Sequence, residues 1–113
     1  MFRYTISLLM FLHGAVHLIG TAKGYGYNIP EITKEISAPL GCLWLIVATL
    51  FIAASILLLL KKETWFLIAT MAIIGSQILI IMDWHEAWWG SVVNLIILLA
   101  LVAGFYKNAA IEQ

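Results

Sequence analysis

Four runs of apolar residues fill most of the chain, and short polar segments separate them. We place them at residues 4–22, 39–60, 65–82 and 91–106. Each run is close to the ~20 residues that a helix needs to cross the hydrocarbon core of a bilayer. Only helices satisfy their own backbone groups in lipid at this length. The pattern therefore predicts an all-α fold, an integral membrane four-helix bundle that forms one domain over residues 1–113.

The polar segments predict how the helices are connected. Residues 61–64 form a tight link, so the second and third spans are expected to be an antiparallel hairpin. Residues 23–38 form the one long loop, and within it Asn28 and Glu31 have the spacing of a capping box. We expect a short helix there that lies in the membrane interface. Its apolar side would carry Ile29, Ile32 and Ile36. Ser37, just before Pro39, is a suitable cap for the second span.

The distribution of basic residues predicts the orientation in the membrane. Both termini and the 61–64 link lie on one side, which carries Arg3, Lys61, Lys62 and Lys107, whereas the other side carries Lys23 and Lys34. The positive-inside rule then places both termini in the cytoplasm. We expect a multi-pass protein of the bacterial inner membrane. The segment before Lys23 is a poor substrate for signal peptidase, so the first span is expected to be retained.

Composition narrows the function classes. Hydrophobic residues make up 64% of the chain and charged residues 11%, with a net charge of zero. Because no basic stretch could follow a phosphate backbone, nucleic acid is excluded as a partner. Cys42 is the only cysteine, which excludes an intrachain disulfide and a CxxC redox pair. The bilayer is the expected partner, together with a membrane protein or a second copy of the chain.

Ionisable and amide side chains converge in the half of the bundle that faces away from the termini, here called the outer half. At the helical rise per residue, His13 lies about 14 Å and His17 about 8 Å below the outer end of the first span. The group expected in this half consists of His13, His17, Gln77, Asp83, His85, Glu86 and Asn94. Such groups are costly inside a membrane and usually indicate a site. We expect the site to bind a ligand or partner through His13, His17, Gln77, Asp83 and Asn94.

Two interpretations of the histidine pair remain open. Residues at i and i+4 project from one helix face, so His13 and His17 could bind a single transition metal or a haem, with His85 and Glu86 completing the site. Alternatively, both histidines are neutral and belong to a polar network with Gln77, Asn94 or backbone carbonyls.

Small residues spaced by seven are expected to form helix packing seams. They are Ser7, Gly14 and Thr21 in the first span, and Gly41, Ala48 and Ser55 in the second.

Residues 13–20 read H-G-A-V-H-L-I-G, and they resemble the H-G-x-x-H-x-x-G first span of small bacterial four-helix membrane proteins. In those proteins a Pro-Leu-Gly sequence starts the second span and the fourth carries an asparagine, as at Pro39 and Asn94 here. The chain is similar in overall shape to DoxX-like proteins. The resemblance implies the topology and a role for the two histidines, and it implies no activity.

Three hypotheses of function follow. The first is a non-enzymatic membrane protein that binds a partner or a small ligand through its outer half. The second is a metal- or haem-dependent membrane redox protein or hydrolase that uses His13 and His17. The third is a small proton-coupled transporter in which one of these histidines titrates. The size resembles small multidrug-resistance transporters, but the first span lacks their membrane-embedded glutamate. We favour the first hypothesis.

Overall fold

Helices are the only regular secondary structure in the part of the chain that the structure describes. The structure is a computed structural model that describes residues 2–30 and 35–112, without the side chains of residues 86 and 106–112. It contains four long helices and one short helical turn. They are α1 (Phe2–Gly24), α2 (Ala38–Leu59), α3 (Trp65–Met82), the turn α4 (Trp84–Ala87) and α5 (Trp89–Glu112). The all-α prediction is confirmed, and the molecule extends 51 × 23 × 22 Å.

The helix boundaries follow local signals in the sequence. The Ser37 hydroxyl accepts a hydrogen bond from the Leu40 N–H at 3.4 Å, so Ser37 caps α2 as predicted. At the other end of α2, Lys61 has a left-handed backbone with φ of 59°. The Lys61 and Lys62 N–H groups donate to the carbonyls of Leu58 and Leu57, which is a Schellman ending. This ending reverses the chain and starts the α2–α3 hairpin.

The connection after α3 and the long loop between α1 and α2 can be compared with the predictions. The expected short link after α3 contains the helical turn α4, and α5 begins at Trp89, two residues before the predicted start. In the long loop, residues 27–29 and 35–37 have no helical structure. Residues 31–34, on which the predicted interfacial helix depends, lie outside the described residues. Ile36 is nevertheless buried, so the end of this loop folds back onto the bundle.

Three helices are long and apolar enough to cross a membrane. They are α1, α2 and α3, and the apolar part of α5 with described side chains, Trp89–Phe105, is shorter. Large apolar side chains are exposed along all four long helices, including Leu12, Ile46, Ile74 and Leu99. The bundle thus buries one side of each helix and presents an apolar surface on the other.

The four long helices form a ring in the order α1, α2, α3, α5, with α5 returning to α1. Neighbouring helices in the ring are antiparallel, because each follows the previous one through a reversal of the chain. Helices α1 and α3 are therefore diagonal to each other, as are α2 and α5. The α1–α2 pair is the most closely packed and the α1–α5 pair the least.

Small residues produce the close α1–α2 contact, as the sequence predicted. Near the inner end, the Ser55 hydroxyl donates to the Ser7 carbonyl at 2.8 Å, and the Ser7 hydroxyl donates to the Ser55 carbonyl at 3.3 Å. Further out, a Cβ on Gly14 would lie 3.0 Å from the carbonyl oxygen of Ala48. Backbone and hydroxyl groups of the two helices thus meet without intervening side chains.

The two backbones come closest at the outer end of the seam. A Cβ added to Gly24 would lie 2.6 Å from the Cα of Gly41, and one added to Gly41 would lie 2.9 Å from the Cα of Gly24. Neither neighbour is a flexible side chain that could turn away. This contact fixes α1 against α2 next to the histidines.

We expect Gly41→Ala to destabilise the protein by about 1–3 kcal/mol, because the new methyl group would force two backbones apart. The matched control is Gly104→Ala, where the nearest atom to the new Cβ lies 3.8 Å away in the Trp65 ring. That substitution should be neutral or should stabilise by up to about 1 kcal/mol. The free energy of unfolding, measured by denaturant titration in mixed micelles, tests both; equal effects would contradict the proposed seam.

Candidate functional site

His13 and His17 both lie on the side of α1 that faces the bundle interior. Their side chains are 6% and 2% exposed, and their ring centroids are 4.7 Å apart. Successive turns of one helix bring the rings together, as the i, i+4 spacing predicts. The two rings differ in their partners, however, and this difference defines the site.

His13 belongs to a polar network whose centre is the side chain of Asn94. The Nε2 atom of His13 lies 3.0 Å from Oδ1 of Asn94. An amide oxygen only accepts, so His13 carries a proton on Nε2 and donates it. The Asn94 amide nitrogen donates to Oγ of Ser76 at 3.0 Å and to Oε1 of Gln77 at 3.2 Å. Gln77 in turn donates to Ser91 at 2.9 Å. The interhelical Gln77–Asn94 pair and the His13–Asn94 bond confirm the polar-network interpretation for His13.

His17 reaches across the diagonal of the bundle to α3. Its Nε2 atom lies 2.8 Å from Oγ of Ser76, whose hydroxyl proton has a second acceptor, Oδ1 of Asn94, at 3.3 Å. Ser76 already accepts from the amide nitrogen of Asn94. The contact of Ser76 with His17 is shorter than its contact with Oδ1 of Asn94. If Ser76 donates to His17, its hydroxyl does not have to donate to the same Asn94 amide from which it accepts. Donation from Ser76 to Nε2 of His17 uses this shorter contact, and in that tautomer a neutral His17 ring carries its proton on Nδ1.

Aromatic rings from α2 surround the histidines. Phe51 lies edge-on to His13 at 4.9 Å and stacks on His17 at 5.6 Å, with ring planes 20° apart. Trp44 lies 5.1 Å from His17 between centroids. A Cβ added to Gly20 would lie 2.5 Å from the Trp44 ring, so only glycine admits the indole at this position. These rings fix the orientation of His17.

A cavity of about 380 Å³ lies beside His17, between α1 and its neighbours. This volume falls within the range of about 300–1,000 Å³ that is typical of small-molecule sites. Apolar side chains form most of its wall, including Ile36, Ile80 and Val93. The polar residues of the wall are His13, His17, Trp44 and Asp83.

Two buried nitrogen atoms at this cavity have no hydrogen-bond partner among the described residues. They are Nδ1 of His17 and Nε1 of Trp44, on side chains that are 2% and 7% exposed. An indole N–H can only donate, and Nδ1 of His17 also donates in the tautomer that accepts a hydrogen bond from Ser76. A buried donor that stays unsatisfied costs about 1–3 kcal/mol. Two neighbouring donors therefore await an acceptor that the described part of the protein does not supply.

The remaining predicted residues lie in α4 and directly before it. Asp83 is buried, with 8% exposure, and lines the cavity, whereas His85 is exposed. The side chain of Glu86 lies outside the described residues. Among the side chains that are described, no three from His, Cys, Asp and Glu are grouped so as to hold a metal ion. His13 and His17 are thus not joined by His85, and the metal or haem site stays a prediction.

Sequence reasoning missed two contributors to the site. Ser76 is the junction between the two histidines and Asn94, and its only sequence signal is its position beside Gln77 in an apolar helix. Trp44 resembles any tryptophan near a span end, which usually anchors the interface. The sequence indicates the role of Trp44 through Gly20, a small residue in α1 that leaves room for the indole. That role can be recognised only when α1 and α2 are known to pack against each other.

Comparison of the chain with protein families, with curated proteins and with solved structures gave no match. The resemblance to DoxX-like proteins is not tested by these comparisons and stays a prediction. The function must therefore be argued from the site itself.

We expect the His13–Asn94 bond to appear as a coupling energy in a double-mutant cycle. His13→Leu and Asn94→Leu should each destabilise the protein, and the double variant should lose less than the sum by about 0.5–2 kcal/mol. A control cycle combines His13→Leu with Thr70→Val, since the Thr70 hydroxyl bonds only within its own helix, to Phe66. That pair should be additive. Unfolding free energies in mixed micelles provide the measurement, and an additive His13–Asn94 pair would refute the network.

Proposed function

We propose that this protein is an integral membrane protein that binds a small, uncharged, lipophilic molecule carrying a carbonyl oxygen. The binding site is the cavity beside His17 and Trp44 in the outer half of the bundle. The role is non-enzymatic binding. The observation that carries this proposal is that two buried nitrogen atoms, Nδ1 of His17 and Nε1 of Trp44, have no partner among the described residues and belong to side chains that line one largely apolar cavity.

The apolar exterior supports membrane insertion. Three helices have the length and hydropathy of membrane spans, and large apolar side chains are exposed along all four long helices. In water, so much exposed apolar surface would drive aggregation. In a bilayer the same surface contacts lipid. The basic residues are more numerous on the side of the termini, which supports cytoplasmic termini in a bacterial inner membrane.

The donor pair supports the carbonyl oxygen. The rings of His17 and Trp44 are neighbours, 5.1 Å apart between centroids, and both side chains line the cavity, so one ligand can contact both residues. A carbonyl oxygen has two lone pairs and can accept both bonds. The apolar side chains of the wall, Ile36, Ile80 and Val93 among them, suit the hydrocarbon part of such a molecule. Few polar groups in an apolar pocket are typical of sites that orient a ligand.

The same groups disfavour charged ligands. An ammonium group has no lone pair with which to accept the Trp44 N–H. A carboxylate could accept it, but the carboxyl group of Asp83 lines the same cavity and, when ionised, repels an anion. A neutral ester, ketone or amide satisfies both donors without a buried charge.

We expect labelling of introduced cysteines to show the proposed orientation. The background is Cys42→Ala, which removes the only native thiol. In spheroplasts, a membrane-impermeant maleimide should label Tyr27→Cys, in the exposed long loop, without permeabilisation. It should label Lys62→Cys, in the α2–α3 link, only after permeabilisation. The reverse pattern would place the termini outside, and labelling of both sites in intact spheroplasts would contradict membrane spanning.

We expect methyl decanoate to bind saturably to the protein in lipid nanodiscs and to shift the Trp44 indole N–H resonance downfield. Decane, which lacks the oxygen, should cause no such shift, and decanoate and decylammonium should bind more weakly. Trp44→Phe, which also assigns the resonance, should weaken binding by roughly 3–10-fold because one neutral hydrogen bond is lost.

The control variant for this experiment is Trp65→Phe, which changes an indole near the inner end and should leave the affinity unchanged. Affinity can be measured independently of the indole resonance by isothermal titration. If methyl decanoate and decane behave alike, or if Trp44→Phe and Trp65→Phe have equal affinities, the proposed site is wrong. Preferential binding of decylammonium would indicate instead a cation site at Asp83.

A further inference from the structure

The cavity wall is not equally closed on all sides. Three residues of the wall are exposed on the surface of the bundle: Val16 at 57%, Ile19 at 43% and Trp89 at 66%. Val16 and Ile19 belong to α1, and Trp89 belongs to α5. The cavity thus reaches the surface between these two helices, which are the least closely packed neighbours in the ring.

As far as the structure describes them, the other sides of the cavity are formed by buried residues. Towards α2, the small-residue seam brings the backbones of α1 and α2 into contact, and Trp44 is buried behind Gly20. Towards the outer end, the buried side chain of Ile36 folds back from the long loop and forms part of the wall. Ile80 of α3 is almost fully buried at the remaining side, where a Cβ on Gly90 would lie 2.5 Å from its Cδ1.

The depth of the opening indicates which phase it faces. At 1.5 Å per residue, Val16 lies roughly 12 Å and Ile19 roughly 8 Å below the end of α1 at Gly24. Both positions lie within the apolar stretch of α1 that has the length of a membrane span. Exposed valine and isoleucine at this depth contact acyl chains if the helix crosses the bilayer. On α1 the lateral opening is therefore on the lipid side of the bundle and below its water-facing end, and on α5 it begins at Trp89, the first residue of that helix.

We infer that the ligand enters from the bilayer, through the lateral opening between α1 and α5, and is therefore a membrane-dissolved lipophile. This inference rests on the proposed carbonyl site and adds the source of the ligand and the route by which it arrives. The ligand's hydrocarbon part lies towards Val16 and the lipid, and its carbonyl lies at the buried end beside His17 and Trp44. No passage through the outer aqueous side is required.

The test compares how fast methyl decanoate exchanges with the site when either route is altered. Val16→Phe adds bulk at the lateral opening, at a half-exposed position where the larger side chain can be accommodated without core strain. It should slow both association and dissociation by about tenfold, within the range that mutations at one interface produce, with the dissociation constant changed far less. Exchange rates come from the line shapes of the Trp44 indole resonance in nanodiscs.

Val92→Phe is the matched control. It is the same substitution on an exposed valine of α5 that does not line the cavity, and its exchange rates should equal those of the unchanged protein. Ile36→Ala opens the water-facing side. Because Ile36 also lines the cavity, this variant should bind methyl decanoate more weakly through faster dissociation, but its association rate should equal that of the unchanged protein. Faster association in Ile36→Ala, together with unchanged exchange in Val16→Phe, would overturn the lateral route in favour of an aqueous one.

The two proposals fail differently. If the unchanged protein shows no saturable binding of methyl decanoate, the carbonyl site is wrong and the route falls with it. If binding and its dependence on Trp44 are normal while Val16→Phe and Val92→Phe exchange at equal rates, only the lateral route is wrong. A Val16→Phe variant that binds with the original affinity but about tenfold more slowly supports both proposals.

Discussion

The hydrogen bonds of one amide, that of Asn94, hold the outer half of this bundle together. Its oxygen accepts from His13 of α1, and its nitrogen donates to Ser76 and Gln77 of α3. Hydrogen bonds to this one side chain thereby connect the three helices α1, α3 and α5. In an apolar setting these groups have few other partners, so their mutual satisfaction dictates how α1, α3 and α5 are placed.

The α1–α2 seam and this network lie next to each other on the interior side of α1, where the histidine rings also contact Phe51 of α2. The seam is made of glycine, alanine and serine, and it allows the backbones to touch at Gly24 and Gly41. The network connects α1 to α3 and α5 through long side chains, which require more space. Helix α1 is consequently drawn against α2 and stands off from α5. The cavity is the result of that asymmetry, and it opens on the side where α1 is least closely packed.

Hydrophobic pattern was enough to predict the four long helices, the α2–α3 hairpin, the Ser37 cap and the packing seams, because each depends on local or strictly periodic signals. The same pattern could not reveal Ser76 or Trp44 as site residues. A serine in an apolar helix has the same local signal whether it bonds to its own backbone or to a distant histidine. Trp44 becomes a site residue only because Gly20, on another helix, leaves room for its ring. A contact between two helices produces no periodic pattern in the sequence of either helix.

The histidine pair shows why spacing alone left the chemistry open. Side chains at i and i+4 are adjacent in any helix, and adjacency suits a shared metal ion and a shared polar network equally well. The structure distinguishes the two histidines by their partners: His13 donates to Asn94, whereas Ser76 contacts Nε2 of His17. Nδ1 of His17, on a side chain that lines the cavity, has no partner among the described residues. His13 thus has a structural role in the network. His17 is oriented by that same network, and in the proposed function its remaining nitrogen and the indole N–H of Trp44, which lies outside the network, contact the ligand.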